Sequence, residues 1–446
     1  MLKTMSKFSL TLILAFAIIL SACSKNEPAP ASGPSNNEKN TPEKQSNEVI
    51  AIDYWGGWTG PDGDVMREMV DRFNSENPDI KVTLTTLQWT PLFEKLVTQF
   101  KVGAPPSLMA MHPQDVAQFA NMGILDPVAD QVGVKKEDFD ENAWNYTFYD
   151  SKQYGIPLDM HMHGLYMNTE MFEAAGLDPA KSPKTGEELI EYATKLTIDN
   201  NGKHPNEAGF DINNVKQWGI GLQNNHHAFY LWYALMTQQG EAFLSKDAKE
   251  TVFDMAKSDK AWQFLQDLIY KHQVAPKGQK APFDDFKAGL TAMAIDGPWQ
   301  LAGLEGQSTM KWATGVFPQV FDKPAAWGSG HILTFPVEKD AKKREAAMKL
   351  AKWITEHSED WAKSGNIPSK LEVQRKIISL PGREAFAEMM PYEVVLPNIP
   401  KTAQVFSATA PSPILTAGHD ILLNNQEPSG VSKELKKGID AILSQP

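Results

Sequence analysis

Asp159, His161 and His163 occupy alternate positions in a stretch, residues 154–177 (YGIPLDMHMHGLYMNTEMFEAAGL), that is otherwise largely apolar. Pro157 fixes its own φ and disfavours helix in the residue before it, so the stretch enters as extended chain. Side chains of an extended segment alternate between faces. With residues 158–167 read as one strand, the carboxylate and both imidazoles share a face, and Leu158, Met160 and Met162 share the other. Imidazoles at i and i+2 of a strand can both ligate a metal ion. They also donate and accept hydrogen bonds to hydroxyl groups. Such a polar face points to a place where the chain crosses between two lobes and presents it to a ligand between them. A short helix over 169–175, stopped by Gly176, closes the stretch.

Other residues of the same chemical types gather in segments assigned to that cleft. Six of the ten histidines do so: His112, His161, His163, His226, His227 and His331. Trp58, Trp89, Trp299 and Trp327 fall in loops beside strands, with Asp62, Asp115 and Asn224 in loops of the same kind. An indole left uncovered usually binds something. Sugar rings offer C–H faces that pack on Trp, and their hydroxyls need Asp, Asn or His, so these residues suit a sugar better than an ion. Trp262 and Trp353 sit inside helical patterns and read as core. No nucleophile elbow, Walker loop, GxGxxG or HExxH motif occurs, and Gly56-Gly57 lacks the lysine and spacing of a phosphate loop. No cofactor is expected, and no catalysis. Two alternatives remain: a binder of another small solute or metal ion, and a surface glycoside hydrolase, since 55 acidic side chains always offer some carboxylate pair.

The elements that must position these residues alternate. Strands are expected over 49–55, 80–87 and 107–111, each followed by a loop and a helix whose apolar residues recur at helical spacing, such as Val65, Met66, Met69, Val70 and Phe73. The helix after the second strand is read from Pro91, a favoured first position. After the crossing, helices over 185–196, 262–270 and 283–290 alternate with strands over 218–222 and 291–295. Residues 327–331 read as a return crossing before a strand over 332–335. Alternation of this kind implies α/β lobes with parallel sheets, whose ligands sit beyond the carboxyl ends of the strands.

Lys3 and Lys7 precede an apolar run over residues 8–20. Its 13 residues are fewer than the roughly 20 that span a bilayer, so residues 1–22 read as a secretory leader. Cys23 is the single cysteine, which rules out an internal disulfide framework. Residues 24–47 are mostly Ser, Asn, Glu, Lys and Pro, with Ala29 and Ala31 the only apolar side chains besides proline, a composition that cannot bury enough surface to fold. As a flexible tether they would span roughly 27 Å. Removing the leader leaves 41 basic against 55 acidic side chains, a net charge of −14, which argues against nucleic acid as a partner. The body of about 400 residues exceeds what one core usually serves, so two lobes are expected.

The order and spacing of several segments resemble one known family over nearly all of the body. They are IDYWGGWTGPDG (52–63), FNSENPDIKV (73–82), the crossing stretch, SPKTGEELI (182–190), DDFKAGLTAMAIDGPW (284–299), WGSGHILTFP (327–336) and MPYEVVLPNIPKT (390–402). Together they resemble the family-1 extracellular solute-binding proteins of ABC importers, the maltose-binding-protein-like group. The family's crossing motif has Tyr directly before Asn; here Met167 precedes Asn168 and Tyr166 stands one earlier, so no role transfers to that Tyr. The resemblance implies a two-lobe periplasmic-binding-protein-like α/β fold, with hinge crossings near 157–164 and 326–332 and a saccharide closed in the interlobe cleft. The N-lobe would be 48–160 with 331–388, and the C-lobe 161–330 with 389–446. Ligand contacts carried over are Trp58, Asp62, His112, Asp115, Asn224 to His227, Trp299 and Trp327; Trp89 and Asp159 rest on the cleft reading alone. The junction Leu20-Ser21-Ala22-Cys23 resembles a bacterial lipobox. It implies a monomer anchored through lipid on Cys23 at the outer face of the cell membrane, passing solute to a permease with a cytoplasmic ATPase.

Overall fold

The computed structural model describes residues 49–306 and 309–445; the leader, Cys23 and the tether lie outside the described residues. Strands from the beginning and from the last third of the described chain build one sheet of seven strands. Its main path runs Ile367–Pro368, Gly155–Met162, Ala326–Thr334, Leu108–Met111, Ile50–Gly56, Ile80–Thr86, with Glu393–Val394 paired to Ala326–Thr334. Ile50–Gly56 lies parallel to both Ile80–Thr86 and Leu108–Met111, as strand–helix alternation requires. Pro61 opens the intervening helix Pro61–Glu76, which buries Met66, Met69, Val70 and Phe73. The parallel expectation fails further along, because Ala326–Thr334 runs antiparallel to both of its long neighbours.

A second sheet of five strands has the order Trp312–Gly315, Gly164–Asn168, Thr291–Asp296, Val215–Gly221, Ile198–Asp199. It too is mixed: Thr291–Asp296 is parallel to Val215–Gly221 and antiparallel to Gly164–Asn168. Its helices include Gly186–Leu196, started by a capping box between Thr185 and Glu188. In this half Trp232 and Trp262 stack, wholly buried, with centroids 5.4 Å apart and 16° between planes. Trp353 packs edge-on against Phe73 in the first core. Both Trp262 and Trp353 are thus core residues, as their helical patterns imply.

Two expectations about the crossing need correction. Residues 158–167 are not one strand. Gly155–Met162 belongs to the first sheet and Gly164–Asn168 to the second, and the chain changes sheets at His163, whose N–H donates to the Trp327 carbonyl at 2.8 Å. Residues 327–331 are not a loop either. They form the first part of the nine-residue strand Ala326–Thr334, buried throughout and paired with Gly155–Met162 from Gly328 onward. Among the described residues no helix is long and apolar enough to cross a membrane.

Candidate functional site

The carboxyl ends of strands from both sheets meet at a cavity of about 650 Å³. From the first sheet come His161 on Gly155–Met162, His112 just past Leu108–Met111, and His331 on Ala326–Thr334. From the second come Gln223 and Asn225 beyond Val215–Gly221, Asp296 ending Thr291–Asp296, and Trp299 just after it.

Asp159 organises the first wall. The residue is 1 % exposed and its carboxylate accepts four hydrogen bonds. Oδ2 takes His331 Nδ1 at 2.7 Å and Trp361 Nε1 at 2.7 Å; Oδ1 takes the His331 backbone N–H at 3.1 Å and His161 Nδ1 at 3.3 Å. Burial alone would raise this carboxyl, but the charge and hydrogen bonds of His331 and His161 outweigh it and hold Asp159 well below the usual carboxylate range. An ionised carboxylate only accepts, so both Nδ1 atoms carry the protons. Trp58 Nε1–H donates to His331 Nε2 at 3.2 Å, which fixes that nitrogen as the acceptor. Trp89 stacks on His331 at 5.3 Å and 19°, and His112 Nδ1 lies 3.2 Å from Asp115 Oδ2.

The second wall is braced differently. His163 Nε2 and His227 Nδ1 are 2.8 Å apart, one donating and the other accepting. Tyr230 stacks on Trp327 at 4.2 Å and 14°. Asp296 accepts from the Gly297 N–H at 2.8 Å, Gln300 Nε2 at 3.0 Å and Gln223 Nε2 at 3.3 Å, and Asn225 Nδ2 donates to Gln223 Oε1 at 3.0 Å. Two buried nitrogens here, His163 Nδ1 and Trp327 Nε1, have no hydrogen-bond partner among the described residues.

Burial dominates the electrostatics. It lowers His161 to about 4, His163 to about 3 and His226 to about 4, and pushes His112 and His227 down as well. These imidazoles are therefore uncharged at neutral pH, each offering one donor and one acceptor. Burial also raises Asp62 to about 6 and Asp296 to about 7. Among the described residues no Lys or Arg lines the cavity. The site therefore offers no fixed cation to a ligand, carries what charge it has on carboxylates, and is rich in hydrogen-bonding groups.

Most of the residues expected to meet a ligand do converge. Trp58, Asp62, Trp89, His112, His161, His226, His227, Trp299 and Trp327 line the cavity. Asp115, Asp159 and His163 stand behind lining histidines as their hydrogen-bond partners, and Asn224 does not line it. The expectation of exposed loop indoles fails for two of the four. Trp58 is 2 % exposed and packs in the first core against Tyr54 and Trp361; Trp327 is 5 % exposed, within a strand. Trp89 and Trp299 are half-buried, and Trp89 begins the helix Trp89–Lys101 instead of preceding it. Three indoles rest on bare glycines. A Cβ at Gly57 would fall 1.9 Å from the Trp89 ring, at Gly297 1.9 Å from Trp299, and at Gly56 2.3 Å from Trp58.

Sequence reasoning left Gln114, Gln223, Tyr230, Asp296, Gln300 and His331 off the list of ligand contacts. His331 carried a signal as one of the six clustered histidines. Amides such as Gln223 and Gln300 carry none, because surface glutamines are common everywhere.

The sequence matches the bacterial extracellular solute-binding protein family over residues 68–383, and the chain belongs to that family. A binding protein of Brucella abortus is 22 % identical over 413 residues, covering 89 % of this chain and 93 % of that one. The sn-glycerol-3-phosphate-binding periplasmic protein of Escherichia coli is 25 % identical over 285 residues, 60 % of this chain and 61 % of that one. Among solved structures, an ABC substrate-binding protein of Listeria monocytogenes in complex with cycloalternan superposes with a TM-score of 0.75 at 22 % identity, covering 88 % of this chain and 98 % of that one. A maltose/maltodextrin-binding domain of Bdellovibrio bacteriovorus bound to maltotriose gives 0.74 at 23 % identity, covering 88 % and 99 %. The fold is that of the two-lobe solute-binding proteins.

Proposed function

We infer that this protein captures a neutral sugar or oligosaccharide in the cavity and passes it to the permease of an ABC importer, without catalysis. The observation that carries this is the wall chemistry: half-buried Trp89 and Trp299, uncharged imidazoles and carboxamides, and no Lys or Arg. Indole faces match the C–H faces of a pyranose, and groups that both donate and accept match its hydroxyls. The same absence of fixed cations disfavours a phosphorylated polyol such as the Escherichia coli relative's ligand, because a phosphate needs Arg or Lys to replace its hydration. Saccharides bound by neighbours of the same fold support the reading.

A thermal-shift screen tests it. A cognate neutral saccharide stabilises by RT ln(1 + [L]/Kd), and sn-glycerol-3-phosphate at equal concentration should not. A panel of mono- and oligosaccharides that leaves the midpoint unmoved, or a shift with the phosphate alone, overturns the reading. Release of reducing sugar from any bound oligosaccharide would mark a hydrolase instead.

The lobes are taken as 48–160 with 331–388 and 161–330 with 389–446, and the strand pairings favour drawing the second boundary at 326. The segments near 157–164 and 326–332 serve as hinges, so the radius of gyration should fall on saturation with ligand. The body is held at the outer membrane face by lipid on Cys23, so Cys23→Ser should abolish partition into detergent. An anchor of this type needs two or more acyl chains, since one binds only marginally.

A further inference from the structure

Three imidazoles converge on one side of the cavity from three separate elements. The rings of His161 and His331 have centroids 4.8 Å apart, those of His112 and His331 5.3 Å, and those of His112 and His161 6.2 Å. One ring nitrogen from each lies within 4.8 Å of the other two. Around a tetrahedral ion with metal–nitrogen distances of about 2.0–2.1 Å, three imidazoles place their nitrogens roughly 3.4 Å apart and their centroids roughly 5 Å apart. The observed set needs closing by about an ångström, within reach of small ring rotations.

The second feature is what stands behind the rings. Asp159 faces Nδ1 of both His161 and His331, and Asp115 faces Nδ1 of His112. A carboxylate behind Nδ1 fixes ring orientation and leaves Nε2 as the outward lone pair; metal-bound histidines are almost always backed in this way. All three rings also line the cavity, so an ion could enter, and a fourth coordination position would face open space.

We propose that His112, His161 and His331 form a binding site for a divalent transition-metal ion at the first-sheet side of the cavity. Imidazole donors without carboxylate or carbonyl oxygens select Zn²⁺, Co²⁺, Ni²⁺ or Cu²⁺ over Mg²⁺ and Ca²⁺. Asp159 contributes negative charge one shell out. Trp58 Nε1–H, 3.2 Å from His331 Nε2, occupies the lone pair that an ion would take. Loading therefore exchanges one hydrogen bond for a metal–nitrogen bond and turns the Trp58 indole aside. The site goes beyond saccharide capture and stands or falls separately from it.

The test titrates the chelator-treated, sugar-free protein with Co²⁺. The expected result is visible absorption of tetrahedral type saturating at one equivalent, bleached by Zn²⁺, with a change in Trp fluorescence that Trp58→Phe diminishes. His112→Ala should weaken Zn²⁺ binding by at least a hundredfold, and so should His161→Ala; His272→Ala, remote from the site, should not. His112 is half-buried at the cavity edge, so its variant remains informative if His161→Ala fails to fold. No Co²⁺ spectrum, or Zn²⁺ affinity unchanged in His112→Ala, overturns the site and leaves the three rings as bracing. Loss of binding in His227→Ala alone would place the ion on the His163–His227 pair and equally overturn it. The saccharide panel is run in EDTA, so a metal result and a sugar result are read independently.

Discussion

The two walls of the cavity are built from the same residue types and are finished to different degrees. On the first-sheet side the Nδ1 atoms of His112, His161 and His331 each face a carboxylate, and Asp159 has four donors. On the opposite wall, where Trp327 packs on Tyr230, Trp327 Nε1 and, behind the lining, His163 Nδ1 are buried without hydrogen-bond partners among the described residues, and amides hold the carboxylate Asp296. A wall whose polar groups are already paired is rigid and loses little on meeting a ligand. A wall with buried groups left open discriminates, because a ligand lacking the matching hydroxyl leaves them unpaired. The comparison assigns preorganisation to one wall and selectivity to the other.

The largest blow to the comparison comes from the first wall's brace. Asp159→Ala leaves four buried donors without an acceptor, at about 1–3 kcal/mol for each unpaired group taken singly. Because these groups share one network and do not add, a loss of about 3–5 kcal/mol is expected in urea unfolding. A loss below about 1 kcal/mol would mean the wall is not held by this residue. Trp58→Ala belongs beside it: a buried indole removed from a core costs about 3–5 kcal/mol, so this variant should report as a stability mutant.

Next in size is the same substitution across the cavity. Trp299→Ala removes a half-buried indole, so saccharide affinity should fall by about tenfold or more, at 1.4 kcal/mol per decade, with the unfolding midpoint little changed. Calorimetric titration beside the unfolding curve separates the two walls. Equal behaviour of Trp58→Ala and Trp299→Ala in both measurements would erase the distinction.

The most gradual effect sharpens the electrostatics of the second wall. Burial raises Asp296 to about 7 in the folded protein, above the ordinary value near 3.9. Between about pH 4 and 7 the folded chain keeps a proton that the unfolded chain has lost, so this group makes stability fall as pH rises through that window. Asp296→Asn keeps an oxygen acceptor and cannot ionise. Relative to wild type its stability should rise by about 4 kcal/mol between pH 4 and 7, at about 1.36 kcal/mol per pH unit. Stability–pH curves that run parallel for the two proteins would refute the assignment.

How much of this was legible beforehand depends on the residue. Asp159 and His161 follow from strand alternation alone and do share a hydrogen bond. His163 obeyed the same arithmetic on paper but sits where the chain leaves one sheet for the other, and it pairs with His227. Periodicity carries no mark of which sheet a residue joins. Trp58 and Trp89 looked alike as loop indoles. Burial by Tyr54, masked by ordinary strand patterning, and by Trp361, distant in sequence, separates them. The fold was readable in outline because element alternation is local, whereas antiparallel returns such as Ala326–Thr334 are decided by long-range pairing.

The glycines beneath the indoles carry a consequence for how such a cavity diversifies. Gly57 and Gly297 leave no room for even a methyl group beside Trp89 and Trp299, and neither supplies a side chain to touch a ligand. A change of Gly57 to Ala would displace the Trp89 ring, itself part of the lining, and so alter the cavity without replacing Trp89. The shape of the cavity is thus set in part by positions without side chains, and one methyl group added at either glycine moves an indole that no substitution has touched.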